Sequence, residues 1–208
     1  METVKTPSEQ RTVLHNISWE TYEHLLADHL DSSSPRFAYD RGVLEIMVVS
    51  GRHERPNRLI AQLVEVVAEE MDLDLENLGS TTFKREDLQR GFEPDSCFYV
   101  QNEERVRGKD ELDSNVDPPP DLVIEVDITS PSLDRFPIYA HFGVPEVWRY
   151  DGERVLIYKL QDDEYGGIAG SIAFPRLTSA ILTRFVEEGL KMRRRVWMRN
   201  VRDWARSG

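Results

Sequence analysis

The segment Leu122-Val123-Ile124-Glu125-Val126 constrains this chain more than any other. It follows a run of prolines at 118–120 and is apolar except for one carboxylate. A short apolar run bounded by turn signals reads as a strand covered on both faces. A carboxylate inside such a strand is costly unless a cation, a proton or a metal sits beside it. The fold must therefore supply Glu125 with a partner. A second acid, Asp95 in Gly91-Phe92-Glu93-Pro94-Asp95, opens another apolar run from Cys97 to Val100. Two strands that each bring an acid to one point form the pattern of a hard-metal site, since Mg²⁺ takes few protein carboxylates and keeps several waters. Spacing alone equally allows a turn aspartate after Pro94 and a glutamate paired with an arginine.

With 208 residues, 39% of them hydrophobic, the chain reads as one globular domain, 1–208, with a substantial core. No internal repeat or linker breaks it. The net charge of −12 speaks against nucleic-acid binding through bulk charge. The charge is uneven, because residues 191–208 carry seven Lys and Arg against Asp203 alone. This basic C-terminal segment reads as a last helix, with Val196, Trp197, Val201 and Trp204 inward. Its arginines either contact phosphates or lie against acidic parts of the same protein or a second subunit. Cys97 is the only cysteine, which excludes an intrachain disulfide. The polar N-terminus and the absence of a membrane-length apolar run lead to a cytoplasmic expectation, with no membrane partner.

In chain order, 1–17 reads as a loosely ordered lead-in. Ser18 caps a helix whose apolar face includes Trp19, Tyr22, Leu25, Leu26 and Leu30. Asp40-Arg41-Gly42 joins two strands as a hairpin. Leu59, Ile60, Leu63, Val64, Val67 and Met71 mark a long amphipathic helix. Residues 101–120 read as an irregular, mobile insertion. A short helix beginning at Ser132 or Asp134 ends at Gly143. Asp151-Gly152 turns a second hairpin, Ile172 to Pro175 reads as a short strand, and Ser179 to about Gly189 as a helix. The expected architecture is α/β (α+β), a mixed central sheet flanked by helices.

Three segments in order, GFEPDSCFYV, DLVIEVDITSPS and IYAHFGVPEVWRYD, resemble the Uma family of putative restriction endonucleases, within the PD-(D/E)XK nuclease superfamily. The resemblance spans roughly Arg36 to Tyr158. It implies a restriction-endonuclease-like core, with Asp95 and Glu125 as the paired acids that bind metal. Through the hairpin and the helix entry it also implies Glu45 and His53 as accessory positions. A plainer reading makes Glu45 a charge on the solvent face of its strand, and His53-Glu54 a pair in the helix's first turn. The superfamily pattern places a lysine two residues after the second acid, where this chain has Asp127. A family lysine four residues before the helix tyrosine falls on Arg135, and Lys84 offers another ammonium. Asp127 either adds a third acid to the metal or caps the turn through Thr129 and Ser130.

The resulting expectation is a Mg²⁺- (or Mn²⁺-) dependent endonuclease acting on DNA, without a small-molecule organic cofactor. Asp95 and Glu125 bind the metal, and Lys84 or Arg135 stabilises phosphate charge. It is expected to act as a homodimer, because duplex cleavage requires two sites and exposed tryptophans invite pairing. The alternative is a non-catalytic descendant of the fold that serves as a binding or assembly module.

Overall fold

The computed structural model describes residues 9–29, 32, 34–128 and 133–207. The elements run β1 (Glu9–His15), α1 (Trp19–Asp28), β2 (Arg36–Asp40), β3 (Val43–Val49), α2 (Gly51–Glu70), β4 (Glu76–Gly79), β5 (Phe83–Arg85), β6 (Arg90–Phe92) and β7 (Ser96–Tyr99). They continue with α3 (Glu103–Val106), β8 (Leu122–Val126), α4 (Phe136–Phe142), β9 (Glu146–Tyr150), β10 (Val155–Gln161), β11 (Glu164–Ile168), α5 (Ser179–Lys191) and α6 (Arg194–Arg206).

The expected mixed sheet is present, with six strands in the order β11-β10-β9-β8-β7-β4. Only β8 and β9 are parallel in it. A five-stranded antiparallel sheet, β1-β3-β2-β6-β5, accompanies it. Alternation along β8 assigns its two faces to different cores. Leu122, Ile124 and Val126 pack with α2, α5 and α6. Val123 packs with α4 and with Phe83 and Phe92 of the second sheet. Glu125 and Asp127 share the parity of Val123, so both belong on the α4 side.

Helix α2 forms where the periodicity predicts. Leu59, Ile60, Leu63, Val64 and Val67 are buried along it, each contributing about 1.5–3 kcal/mol by leaving water. Ser18 caps α1 by accepting the Thr21 N–H at 3.1 Å. The first hairpin turns through Arg41 (φ 44°) and Gly42 (φ 92°), two left-handed residues whose twist suits a two-residue loop.

Several expectations change. Residues 9–15 of the supposed lead-in form β1, which pairs with β3 along its whole length; alternation in this half-exposed edge strand is too weak to announce it. Residues 101–120 contain the single turn α3 and are otherwise irregular, with hydrogen bonds holding parts of them. Asp121 accepts the N–H groups of Val100 and Asn102 at 2.8 and 2.9 Å, and Asp117 accepts that of Asp113 at 2.9 Å. Ile172 to Pro175 is a loop, not a strand. It is held because the buried Glu146 accepts the Ile172 and Ala173 N–H groups at 2.6 and 3.1 Å. Strand β11, with two glycines in five residues, carries no strand signal in its sequence. Leu30, Thr129, Ser130 and Ser132 lie outside the described residues, so the proposed cap of Asp127 does too. Trp19, Trp148 and Trp197 are buried, and Trp204 packs against Phe185. Exposed tryptophans therefore do not supply the reason for a dimer. No helix among the described residues is long and apolar enough to cross a membrane.

Candidate active site

In the β7–β8 ladder Ser96 faces Ile124, so one position further along Asp95 stands opposite Glu125. The Val126 N–H donates to Asp95 Oδ2 at 2.7 Å, which fixes that carboxylate against the neighbouring strand. The first turns of α2 lie over Asp95. His53 Nε2 is 3.3 Å from Asp95 Oδ2, and Asn57 Nδ2 donates to the Asp95 carbonyl at 3.0 Å. Asn57 Oδ1 also accepts the Ser96 hydroxyl at 2.8 Å. His53 is thus brought to the site and is fully buried, beyond the role of a first-turn pair.

Both acids are matched by arginines. Arg36, the first residue of β2, donates to Asp95 Oδ1 and reaches Glu54 at 3.5 Å. Arg135, just before α4, donates from Nη1 to Glu125 at 3.3 and 3.4 Å and to the Glu93 carbonyl at 3.4 Å. Its Nε and Nη2 donate to Glu45 Oε1 at 3.2 and 2.8 Å. Tyr139, one turn into α4, donates its hydroxyl to Glu125. Glu45 is fully buried, so it is not a charge on the solvent face. It anchors Arg135 and also meets Arg11 at 3.5 Å.

Burial pushes the Asp95 carboxyl up to about 6, while Arg36 and the Val126 N–H pull it down. Burial pushes Glu125 up to about 7. Arg135 opposes this rise, and the negative charges of Asp95 and Asp127 add to it.

Not all predicted residues converge. Lys84 pairs with Glu23 at 2.8 Å on the exposed rim of β5, and neither site acid is its partner. An exposed lysine follows a nearby solvated acid. Asp127 lies close by but is held from both sides, by Arg11 Nη2 at 2.7 Å and Arg149 Nε at 2.8 Å. Among the described residues no three His, Cys, Asp or Glu side chains are placed to share one ion. The expected three-acid set is therefore not assembled. Asp95 and Glu125 still fit a hard divalent cation. They are oxygen donors set side by side, and Mg²⁺ is commonly held by one or two carboxylates together with water and substrate phosphate.

Arg11, Arg36, Glu93, Arg149 and Tyr139 are site residues that sequence reasoning missed. The β8–β9 register places Arg149 beside Glu125, a pairing readable only once those strands are known to be parallel neighbours.

Residues 19–193 match the Uma2 family, described as "Putative restriction endonuclease". The chain belongs to the Uma2 family. Its fold is similar to a crystal structure described as a putative nuclease belonging to DUF820 from Anabaena variabilis. The TM-score is 0.50 and the identity 16%, over 77% of this chain and 98% of that one. At this identity the likeness speaks for the restriction-endonuclease-like fold. No curated protein matches the chain. The Uma2 match includes both acids, the accessory Glu45 and His53, and Arg135. It begins after β1 and so leaves out Arg11.

Proposed function

We propose that this Uma2 protein is a divalent-metal-dependent endonuclease that hydrolyses DNA phosphodiester bonds. The observation that carries the reading is the meeting of Asp95 and Glu125 across neighbouring strands, both buried, beneath the entry of α2. Asp95 and Glu125 would hold Mg²⁺ or Mn²⁺, which when bound supplies charge neutralisation and an activated water. Arg135 stays charged and cannot act as a base. Its bonds to Glu45, Glu125 and the Glu93 carbonyl keep Glu125 oriented, and its charge favours anionic phosphate nearby. His53 and Asn57 hold the Asp95 side of the site in place. Cutting both strands of a duplex calls for two such sites, which favours a homodimer in action.

The test is cleavage of plasmid DNA with millimolar Mg²⁺ or Mn²⁺. Asp95→Asn and Glu125→Gln, nearly isosteric changes, should abolish nicking. Wild-type activity in either variant refutes the assignment. One observation favours the second reading, a non-catalytic binding module: guanidinium groups already neutralise both acids. Calorimetric titration separates the two, since absence of Mg²⁺ and Mn²⁺ binding at millimolar concentration selects the module.

A further inference from the structure

We infer that duplex DNA reaches Asp95 from the α2 side, its phosphates held by an arginine row on α2 that continues onto the start of α6. This rests on the nuclease reading above and adds to it the face that carries substrate.

One opening reaches Glu125 and another reaches Asp95. The first, against Glu125, Asp127, Arg135 and Tyr139, has a volume of about 30 Å³. That is the scale of a water molecule, not of a phosphodiester strand. The other is a groove of about 500 Å³ lined by Arg36, Ser50, Glu54, Arg58, Asp95 and Ser96, among others, with Glu54 reaching both arginines. Arg36 is only 6% exposed, and its Nε is a buried donor with no hydrogen-bond partner among the described residues. Nothing lies within 4 Å of where a Cβ on Gly51 would stand, so the mouth at the start of α2 is open.

Arg58 and Glu54 line this groove, and Arg52 and Arg55 lie next to them along α2. Arg52, Arg55 and Arg58 are exposed at three-residue spacing along α2, about 4.5 Å of rise apart. Of the three, Arg58 alone makes an ion pair among the described residues, with Glu54 at 2.6 Å. Leu59, one turn beyond Arg55, lies against the last turns of α5. A Cβ on Gly189 would stand 2.7 Å from Leu59 Cδ2 and 3.0 Å from Trp197 Nε1. Arg193 to Arg195 follow a few residues after that contact, at the start of α6.

Helix α6 divides at this point. Its C-terminal half is neutralised within the protein, Arg202 and Arg206 reaching Glu69 and Glu70 at 2.6–3.6 Å. Arg193, Arg194 and Arg195 are exposed and have no ion pair among the described residues. In a chain of net charge −12, the exposed Arg52, Arg55, Arg193, Arg194 and Arg195, without an ion pair among the described residues and near a groove that ends on Asp95, are complementary to a polyanion. Phosphate contacts of this kind position a duplex without reading its sequence.

The test is fluorescence anisotropy of labelled DNA duplexes of unrelated sequence, without divalent metal, across a salt series. Arg52→Ala with Arg55→Ala, and Arg194→Ala with Arg195→Ala, should each lower the slope of log K against log salt by about two and weaken all duplexes alike. Arg154→Ala, on the exposed β9–β10 turn, should leave the slope unchanged. Unchanged slopes in the paired variants, or a wild type that binds no duplex, overturn the inference. Tighter binding to an RNA duplex overturns DNA as the occupant. A salt-sensitive dimer in sedimentation that the same variants dissolve, without DNA binding, assigns the face to a second copy instead. Plasmid cleavage is scored in parallel. A wild type that cleaves while the paired variants bind normally removes the arginine track and leaves the nuclease. Arginine-dependent binding without cleavage removes the nuclease and leaves the track.

Discussion

Replacing Arg135 with methionine probes the centre of this protein. The guanidinium is buried, and it joins two carboxylates that are themselves 0% and 4% exposed, Glu45 and Glu125. Methionine preserves length and apolar packing but removes the bonds to Glu45 at 2.8 and 3.2 Å, to Glu125 at 3.3 Å and to the Glu93 carbonyl. Taking one partner from a buried ion pair leaves an uncompensated charge and costs about 3–5 kcal/mol. For a chain of this size each kcal/mol lowers Tm by about 2–4 °C, so the transition should fall by about 6–20 °C. The loss should depend on pH with a definite sign. Arg135 holds Glu125 down, so its removal raises the folded-state pKa of Glu125 further above the unfolded value. Between those two pKa values the folded state binds more protons, and stability falls as pH rises. The deficit should therefore be smaller at pH 5 than at pH 8. Differential scanning calorimetry at both pH values, with Glu45→Gln added as a second-site change, measures it. The double variant should recover part of the loss, because it neutralises one of the two carboxylates that Arg135 compensates. An Arg135→Met protein within about 1 kcal/mol of wild type, or a deficit greater at pH 5, refutes this account of the network.

Two other outcomes follow from the structure. With Asp95 pushed up to about 6 and Glu125 to about 7, both above their ordinary range, the wild-type urea midpoint should decline between about pH 4 and pH 7, and a rise across that window contradicts the assigned shifts. At the packing of α1 on the second sheet, a Cβ on Gly91 would stand 2.3 Å from the Tyr22 hydroxyl. Tyr22 is stacked on Tyr39 at 4.9 Å and cannot withdraw freely, so Gly91→Ala should destabilise by about 1–3 kcal/mol. Tyr22→Phe should cost little, because that hydroxyl is buried without a hydrogen-bond partner among the described residues. Chemical denaturation of both variants decides the point.

Much of this molecule was legible in one dimension. The apolar period of α2, the Ser18 cap, the Gly42 and Asp151-Gly152 turns and the β8 run depend on local chemistry, and each forms where the residues place it. Glu125 announced itself for the same reason, since a carboxylate in an apolar strand is an energetic exception visible without coordinates. Asp95 followed as its match on a second apolar run. The partners of these acids were not legible. Arg11 comes from a strand 116 residues from Asp127 in sequence, Arg36 lies 59 from Asp95, and Glu45 lies 90 from Arg135. Periodicity tells which face of its own element a side chain occupies, but not which other element that face meets. Strand order and register decide the meeting, and they drew Arg135 to the acids while leaving Lys84 with Glu23. The sequence by itself determined that Glu125 would be a buried acid in need of compensation, and offered Asp95 as its candidate match. Only the tertiary structure decided which cations answer, because a buried carboxylate takes whatever partner the packing of distant elements delivers.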